Sequence, residues 1–221
     1  MLHKIVLSME KTDNKLQIER ILFFSDAVIA IAMTLLIIEI KAPHIFNHSN
    51  TDLNKNLQDL VPKFVSFFIS FFVIAIYWKA HHHLFGFVTA YTDKLIWINI
   101  LFLLSIVLMP FSSAFYSENF GLTIPYVIYC FNIFITGILN CWLIRYISSG
   151  KQQLSAVAGN SNWRKYHTLR SLVAPLIFLL SLLLSFYSTG ISRLCFILIF
   201  PLIYFLNKNY KKQLTVTKHK N

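Results

Sequence analysis

Six stretches of mostly apolar residues punctuate this chain of 221, at about 21–40, 60–81, 95–115, 124–147, 169–187 and 191–206. A run of roughly 20 such residues, rising 1.5 Å each as an α-helix, covers the ~30 Å hydrocarbon core of a bilayer. In lipid the backbone must satisfy its own hydrogen bonds, which a helix does within the segment. The expected fold is therefore an all-α integral membrane protein, with six transmembrane helices in a single domain over residues 1–221. Composition agrees. The chain is 56% hydrophobic and only 13% charged, against about 25% charged in a soluble domain.

The connections carry their own expectations. The first 20 residues hold Lys4, Glu10, Lys11, Asp13, Lys15, Glu19 and Arg20 and no long apolar run. The first helix thus reads as a retained span and not a cleaved signal. A tight turn around Ser188, Thr189 and Gly190 joins the last two runs. The loop 148–162 is rich in Ser, Gly and Gln and is expected to be flexible. Pro62, Pro110, Pro125, Pro175 and Pro201 fall in or near spans, where they are tolerated. Cys130, Cys141 and Cys195 sit in apolar runs without metal-ligand spacing and read as small core residues.

The net charge of +11 is distributed like a topology signal. With six crossings, every Lys and Arg except Lys41, Lys55, Lys63 and Arg193 falls on one side. The positive-inside rule makes that side cytoplasmic and puts both termini there. The basic excess is thereby accounted for, with membrane lipid as its partner and no nucleic acid.

Polar residues inside the spans share one depth. Asp26 lies only about 9 Å along the first helix from Arg20. The second span runs back toward the same side and ends in "YWKAHHHLF", and the third leaves it with "KLIWINILF". Ser25, Asp26, Trp78, His81, His82, Trp97 and Asn99 are thus expected in one slab, where a carboxylate, a hydroxyl, imidazoles, an indole and an amide can satisfy one another. Trp78 and Trp97 also fit ordinary interface anchors. The run His81, His82, His83 does not fit a metal, since neighbours on a helix point about 100° apart. No metal site and no catalytic set is expected. An intramembrane carboxylate has by default a functional or network role, and the network is favoured for Asp26.

Ile31, Leu35 and Ile38 follow i, i+4, i+7 and line one face of the first helix, with Thr34 at its edge and Phe24 and Ala27 extending it. Asp26 points about 140° away. Periodicity alone leaves this stripe open between pore, packing and lipid.

The stretch Arg20, then Phe24-Ser25-Asp26, resembles the signature of the transmembrane-protein-175 family of potassium channels, first associated with endosomes and lysosomes. The likeness continues through "AVIAIAMTLLIIEIK", "YWKAHHHLF" and "WINILFLLSIVLMPF". It covers the first three spans, and the last three agree only in number and hydrophobicity. A single six-helix unit is similar to the prokaryotic branch. The resemblance implies a homotetramer whose first helix lines a central pore, with potassium as the permeant ion and no cofactor. It implies a filter of apolar rings at Ile31, Leu35 and Ile38, with Thr34 as a hydroxyl layer. It also implies an interhelical network of Arg20, Ser25, Asp26, Trp78 and His81, with Phe24, His82, Trp97 and Asn99 at its level. Ala27 stands where Gly is common, and His83 is an extra histidine. The implied function is a cation channel, modestly selective for potassium over sodium, in the cell (plasma) membrane and not an enzyme. Two other readings stay open. One is a secondary transporter or proton conductor using Asp26 and His81. The other is a membrane enzyme built on the histidines, for which only Asp26 and Asp93 could serve as nearby acids.

Overall fold

The computed structural model describes residues 2–42, 50–187, 192 and 194–218. The turn at Ser188, Thr189 and Gly190 and the start of the last run at Ile191 lie outside them. The described residues form α1 (Leu2–Ile38), α2 (Asn50–Phe85), α3 (Asp93–Val107), α4 (Met109–Glu118), α5 (Thr123–Ile147), α6 (Ser161–Ser185), a 3-10 turn (Cys195–Leu198) and α7 (Ile199–Lys218).

Five helical segments are long and apolar enough to cross a membrane: Asp13–Ile38, Asn56–Phe85, Asp93–Glu118, Thr123–Ile147 and Ser161–Ser185. The sixth expected span is shorter, an apolar stretch over Cys195–Tyr210. At 1.5 Å per residue it reaches only about 24 Å. Pro201 has no N–H to close an α-helical bond onto Ile197, and the chain winds as a 3-10 turn just before it.

Helices overrun their apolar runs. α1 begins at Leu2 and α2 at Asn50, each well before its apolar run. The third run breaks between α3 and α4, where Pro110 occupies the opening turn of α4 and cannot continue the ladder of α3. Local chemistry sets other ends. Thr92 Oγ1 accepts from Leu95 N at 3.2 Å to cap α3, and Asn160 Oδ1 accepts from Trp163 N at 3.0 Å to cap α6.

α1 packs on α2, α3 and α4. α5 backs α3 and α4, α6 packs most extensively on α5, and α7 lies on α6. α1 therefore forms one edge of the bundle. The three cysteines are buried.

The loop 148–162 is more ordered than its composition implied. Thr89 N and Ala90 N donate to Leu154 O at 2.8 and 3.3 Å, and Ala156 N donates to Phe87 O at 2.9 Å. This pins it to the loop between α2 and α3, with an isolated antiparallel bridge at Val88 and Ser155. Gly159, at φ 81°, makes the turn into the α6 cap, a conformation that glycine adopts without strain.

Candidate functional site

α1 presents two opposed faces. Ser25, Ile29, Ala32 and Leu36 recur at the spacing of one helical face and are buried at 0, 1, 1 and 3% exposure. They are the packing surface against the neighbouring helices. Roughly 130° around the helix, by the 3.6-residue period, lie Ile31, Leu35 and Ile38, at 59, 39 and 66% exposure. Phe24, Ala27 and Thr34 lie on the same exposed side. Thr34 turns its hydroxyl back onto Ile31 O at 2.8 Å, so its proton is already committed and its oxygen remains an acceptor.

The buried face is tied down by one directional chain of hydrogen bonds. Asn99 of α3 donates from Nδ2 to Ser25 Oγ at 2.9 Å, and Ser25 donates on to Ile21 O at 2.8 Å. Asn99 Oδ1 can only accept, so the proton in its 2.7 Å contact with His81 belongs to His81 Nε2. That fixes the neutral tautomer. His81 Nδ1 is buried with no partner among the described residues. The imidazole stacks on Phe85 at 4.4 Å and on Phe102 at 5.4 Å between centroids. Three helices are thus joined by side chains that each have one direction of donation. Asn99→Leu is expected to disrupt this joint more than Ser25→Ala. It strands both the His81 N–H and the Ser25 oxygen, whereas Ser25→Ala strands only one Asn99 proton. Thermal unfolding of the purified variants in detergent measures the difference, expected at about 1 kcal/mol.

A second joint sits at the rim. Trp78 Nε1 donates to Asp26 Oδ1 at 2.9 Å. His82 Nδ1 lies 3.9 Å from Asp26 Oδ2, an ion pair only when the imidazole is protonated. The Trp78 and His82 rings face each other at 5.8 Å. Asp26 is two-thirds shielded, which makes its contact with Trp78 more than a solvated surface pair.

Not every expected residue joins. Arg20 is exposed and has no ion pair or hydrogen bond among the described residues. Phe24 and Trp97 are 57 and 65% exposed, outside both joints. His83 lies apart from the layer and packs against Phe87 and His167, with centroids at 5.1 and 5.6 Å. Among the described residues no group of three or more His, Cys, Asp or Glu could hold a metal.

A further polar joint was not anticipated. Ser113 of α4 meets Ser66 and Ser70 of α2 at 2.9 and 2.8 Å, and Ser70 meets the Tyr129 hydroxyl of α5 at 2.9 Å. The signal was available in the i, i+4 spacing of Ser66 and Ser70 within an apolar run, which places two hydroxyls on one helical face. Small hydroxylic residues are the usual polar ties between helices in lipid.

Residues 20–110, which hold the stripe and both joints, match the family model described as "Endosomal/lysosomal potassium channel TMEM175". A protein of Chryseobacterium sp. (strain P1-3) described as a potassium channel is 30% identical over 115 residues, covering 52% of this chain and 57% of its own length. The endosomal/lysosomal proton channel TMEM175 of Gallus gallus is 24% identical over 191 residues, covering 82% of this chain and 37% of its own length. The chain thus spans about half the length of the first of these relatives and less of the second. The crystal structure of a lysosomal potassium-selective channel TMEM175 homologue from Chamaesiphon minutus superposes with a TM-score of 0.70 at 25% identity. The match covers 88% of this chain and 98% of that one.

Proposed function

We infer that the chain belongs to the transmembrane-protein-175 family of channels, and from that premise we propose that it forms a passive cation pore, selective for potassium over sodium and lined by α1. The observation that carries the reading is the pair of opposed faces on α1. One face is locked to α2, α3 and α4 by close packing and by the joints at Ser25 and Asp26. The other is a continuous apolar stripe that its own chain leaves uncovered. Four copies around an axis would bring four such stripes together, so a homotetramer is proposed. Rings of Ile31, Leu35 and Ile38 would then make a narrow, poorly hydrated path. An ion entering it must shed water, and potassium does so at lower cost than sodium. The same rings can close by dewetting. The Thr34 oxygen offers one polar layer between them.

The reading includes the plasma membrane as location and both termini in the cytoplasm, which counts Cys195–Tyr210 as a sixth crossing within a single domain. Conduction involves no chemistry on a substrate, and no cofactor is required.

The joints hold the pore helix. Asp26→Ala removes the acceptor of Trp78 and is expected to lower the yield of assembled protein well before it alters the potassium to sodium ratio. Asp26→Asn keeps a carbonyl oxygen for Trp78 and should recover most of that yield. Size-exclusion chromatography of the solubilised variants reads this directly. Normal assembly of Asp26→Ala would remove the anchoring role.

Proton conduction is the second reading, favoured by the likeness to the Gallus gallus proton channel and by the buried histidine at position 81. The geometry of His81 weighs against it as a relay. A second proton on the ring would sit at Nδ1, which has no hydrogen-bond partner among the described residues, and the Asn99 amide does not take up and release a proton as a carrier would. Flux into liposomes containing the purified protein tests both readings. Potassium uptake that exceeds sodium uptake under equal gradients, without its own proton movement, is the expected result. Saturable or proton-coupled flux would transfer the role to Asp26 and His81.

A further inference from the structure

Away from the pore face, α2, α5 and α6 meet around two buried polar atoms that no described residue pairs. Tyr77 of α2 is 2% exposed and Asn140 of α5 is 1% exposed. Neither the Tyr77 hydroxyl nor Asn140 Oδ1 has a hydrogen-bond partner among the described residues. Both residues line one cavity of about 20 Å3, bounded by Ile144 of α5, Ser171 and Arg170 of α6 and Ile203 of α7. The other end of the Asn140 amide is already engaged, since Nδ2 donates to Ser171 Oγ at 2.7 Å. That orients Oδ1 as the free end.

The site has the size and chemistry of one water molecule. A buried water occupies roughly 10–15 Å3 of such space and needs two or more polar partners. Here one atom can only be satisfied as a donor or by a donor, the Tyr77 hydroxyl, and the other can only accept, Asn140 Oδ1. A single water accepts from the first and donates to the second. Gly137, one turn before Asn140 on the same face of α5, is what lets the phenol reach this level. A Cβ there would come within 2.8 Å of the Tyr77 oxygen. Arg170 makes a small anion the natural competitor, but the unpaired carbonyl oxygen of Asn140 opposes negative charge.

We propose that this cavity is the binding site of one structural water, accepting from Tyr77 and donating to Asn140, which ties α2 to α5. It forms a further joint, separate from those at Ser25, Asp26 and Ser113.

The test is a crystal structure of the full chain, grown with bromide at a resolution that displays ordered solvent. The expected map has one peak within hydrogen-bonding distance of both atoms, without anomalous signal. That peak is lost in Tyr77→Phe, which leaves the water one strong partner fewer. No peak, an anomalous peak marking a halide, or a peak unchanged in Tyr77→Phe would each overturn the proposal. Thermal unfolding midpoints give a second readout. Tyr77→Phe and Asn140→Leu each evict the same water, so the double variant should fall by clearly less than the sum of the single shifts. Additive shifts would mean that the two atoms share nothing.

Discussion

Gly137→Ala is expected to destabilise the folded chain, although alanine is the better helix former. A Cβ at this position would lie 2.4 Å from Pro175 Cγ, 2.9 Å from Pro175 Cβ and 2.8 Å from the Tyr77 hydroxyl. Real Cβ atoms do not approach so closely, and the proline ring is held rigidly within α6. Something must shift at the most extensive helix pair of the bundle. Overpacking a filled core costs about 1–3 kcal/mol, and contact with a fixed ring on one side and a buried phenol on the other belongs at the upper end. Replacing glycine inside a helix gains only about 1 kcal/mol, so the clash decides the sign. The midpoint of thermal unfolding in detergent should fall. Adding Pro175→Ala removes the obstructing ring and should recover much of the loss. A midpoint raised by Gly137→Ala would mean that α5 and α6 separate freely, contrary to their packing.

The largest functional change is expected at Ile31. Ile31→Asn puts an amide where the proposed pore has an apolar ring, and the amide can replace water that an entering ion has lost. Discrimination between two ions is a small energy, about 1.4 kcal/mol for each tenfold. One polar ring is therefore enough to bring the potassium to sodium permeability ratio close to unity, with a rise in conductance as dewetting is relieved. Bi-ionic reversal potentials in planar bilayers measure the ratio. The side chain is 59% exposed in the single chain, so folding should be unaffected, which separates this variant from Gly137→Ala. An unchanged ratio would take Ile31 out of the filter and leave Leu35 and Ile38 as the remaining candidates.

Much of the architecture was legible because lipid is a demanding solvent. Twenty mostly apolar residues in a row admit few structures, and the first five runs are helical, the third in two pieces, α3 and α4. The sixth is an apolar helical stretch over Cys195–Tyr210, shorter than the other five, and hydropathy registers its apolar residues but not the missing N–H of Pro201 or the 3-10 turn before it. The loop 148–162 was misjudged for a related reason. Polar composition predicts solvation, yet the backbone bonds to Phe87, Thr89 and Ala90 depend on where the distant α2–α3 loop falls.

The shared depth of Ser25, Asp26, Trp78, His81, His82 and Asn99 followed from counting residues along three spans, since rise per residue is fixed. Depth did not distinguish partners. Ser25 and Asp26 are adjacent in sequence but about 100° apart around α1, and they enter separate joints, one with Asn99 and His81 and one with Trp78. Trp97 has the right depth and the wrong azimuth. The hydroxyl joint of Ser66, Ser70, Ser113 and Tyr129 went unread because serine in an apolar run carries little hydropathy signal.

The sequence by itself determined which segments are helical, how deep each polar residue lies and which residues share a face, because these depend only on chain geometry and on the water-to-lipid transfer of side chains. The tertiary structure alone decided which face of α1 is covered, which of the polar residues touch and that Gly137 admits no side chain. Those outcomes depend on the rotation and closeness of packed helices, which no local pattern encodes.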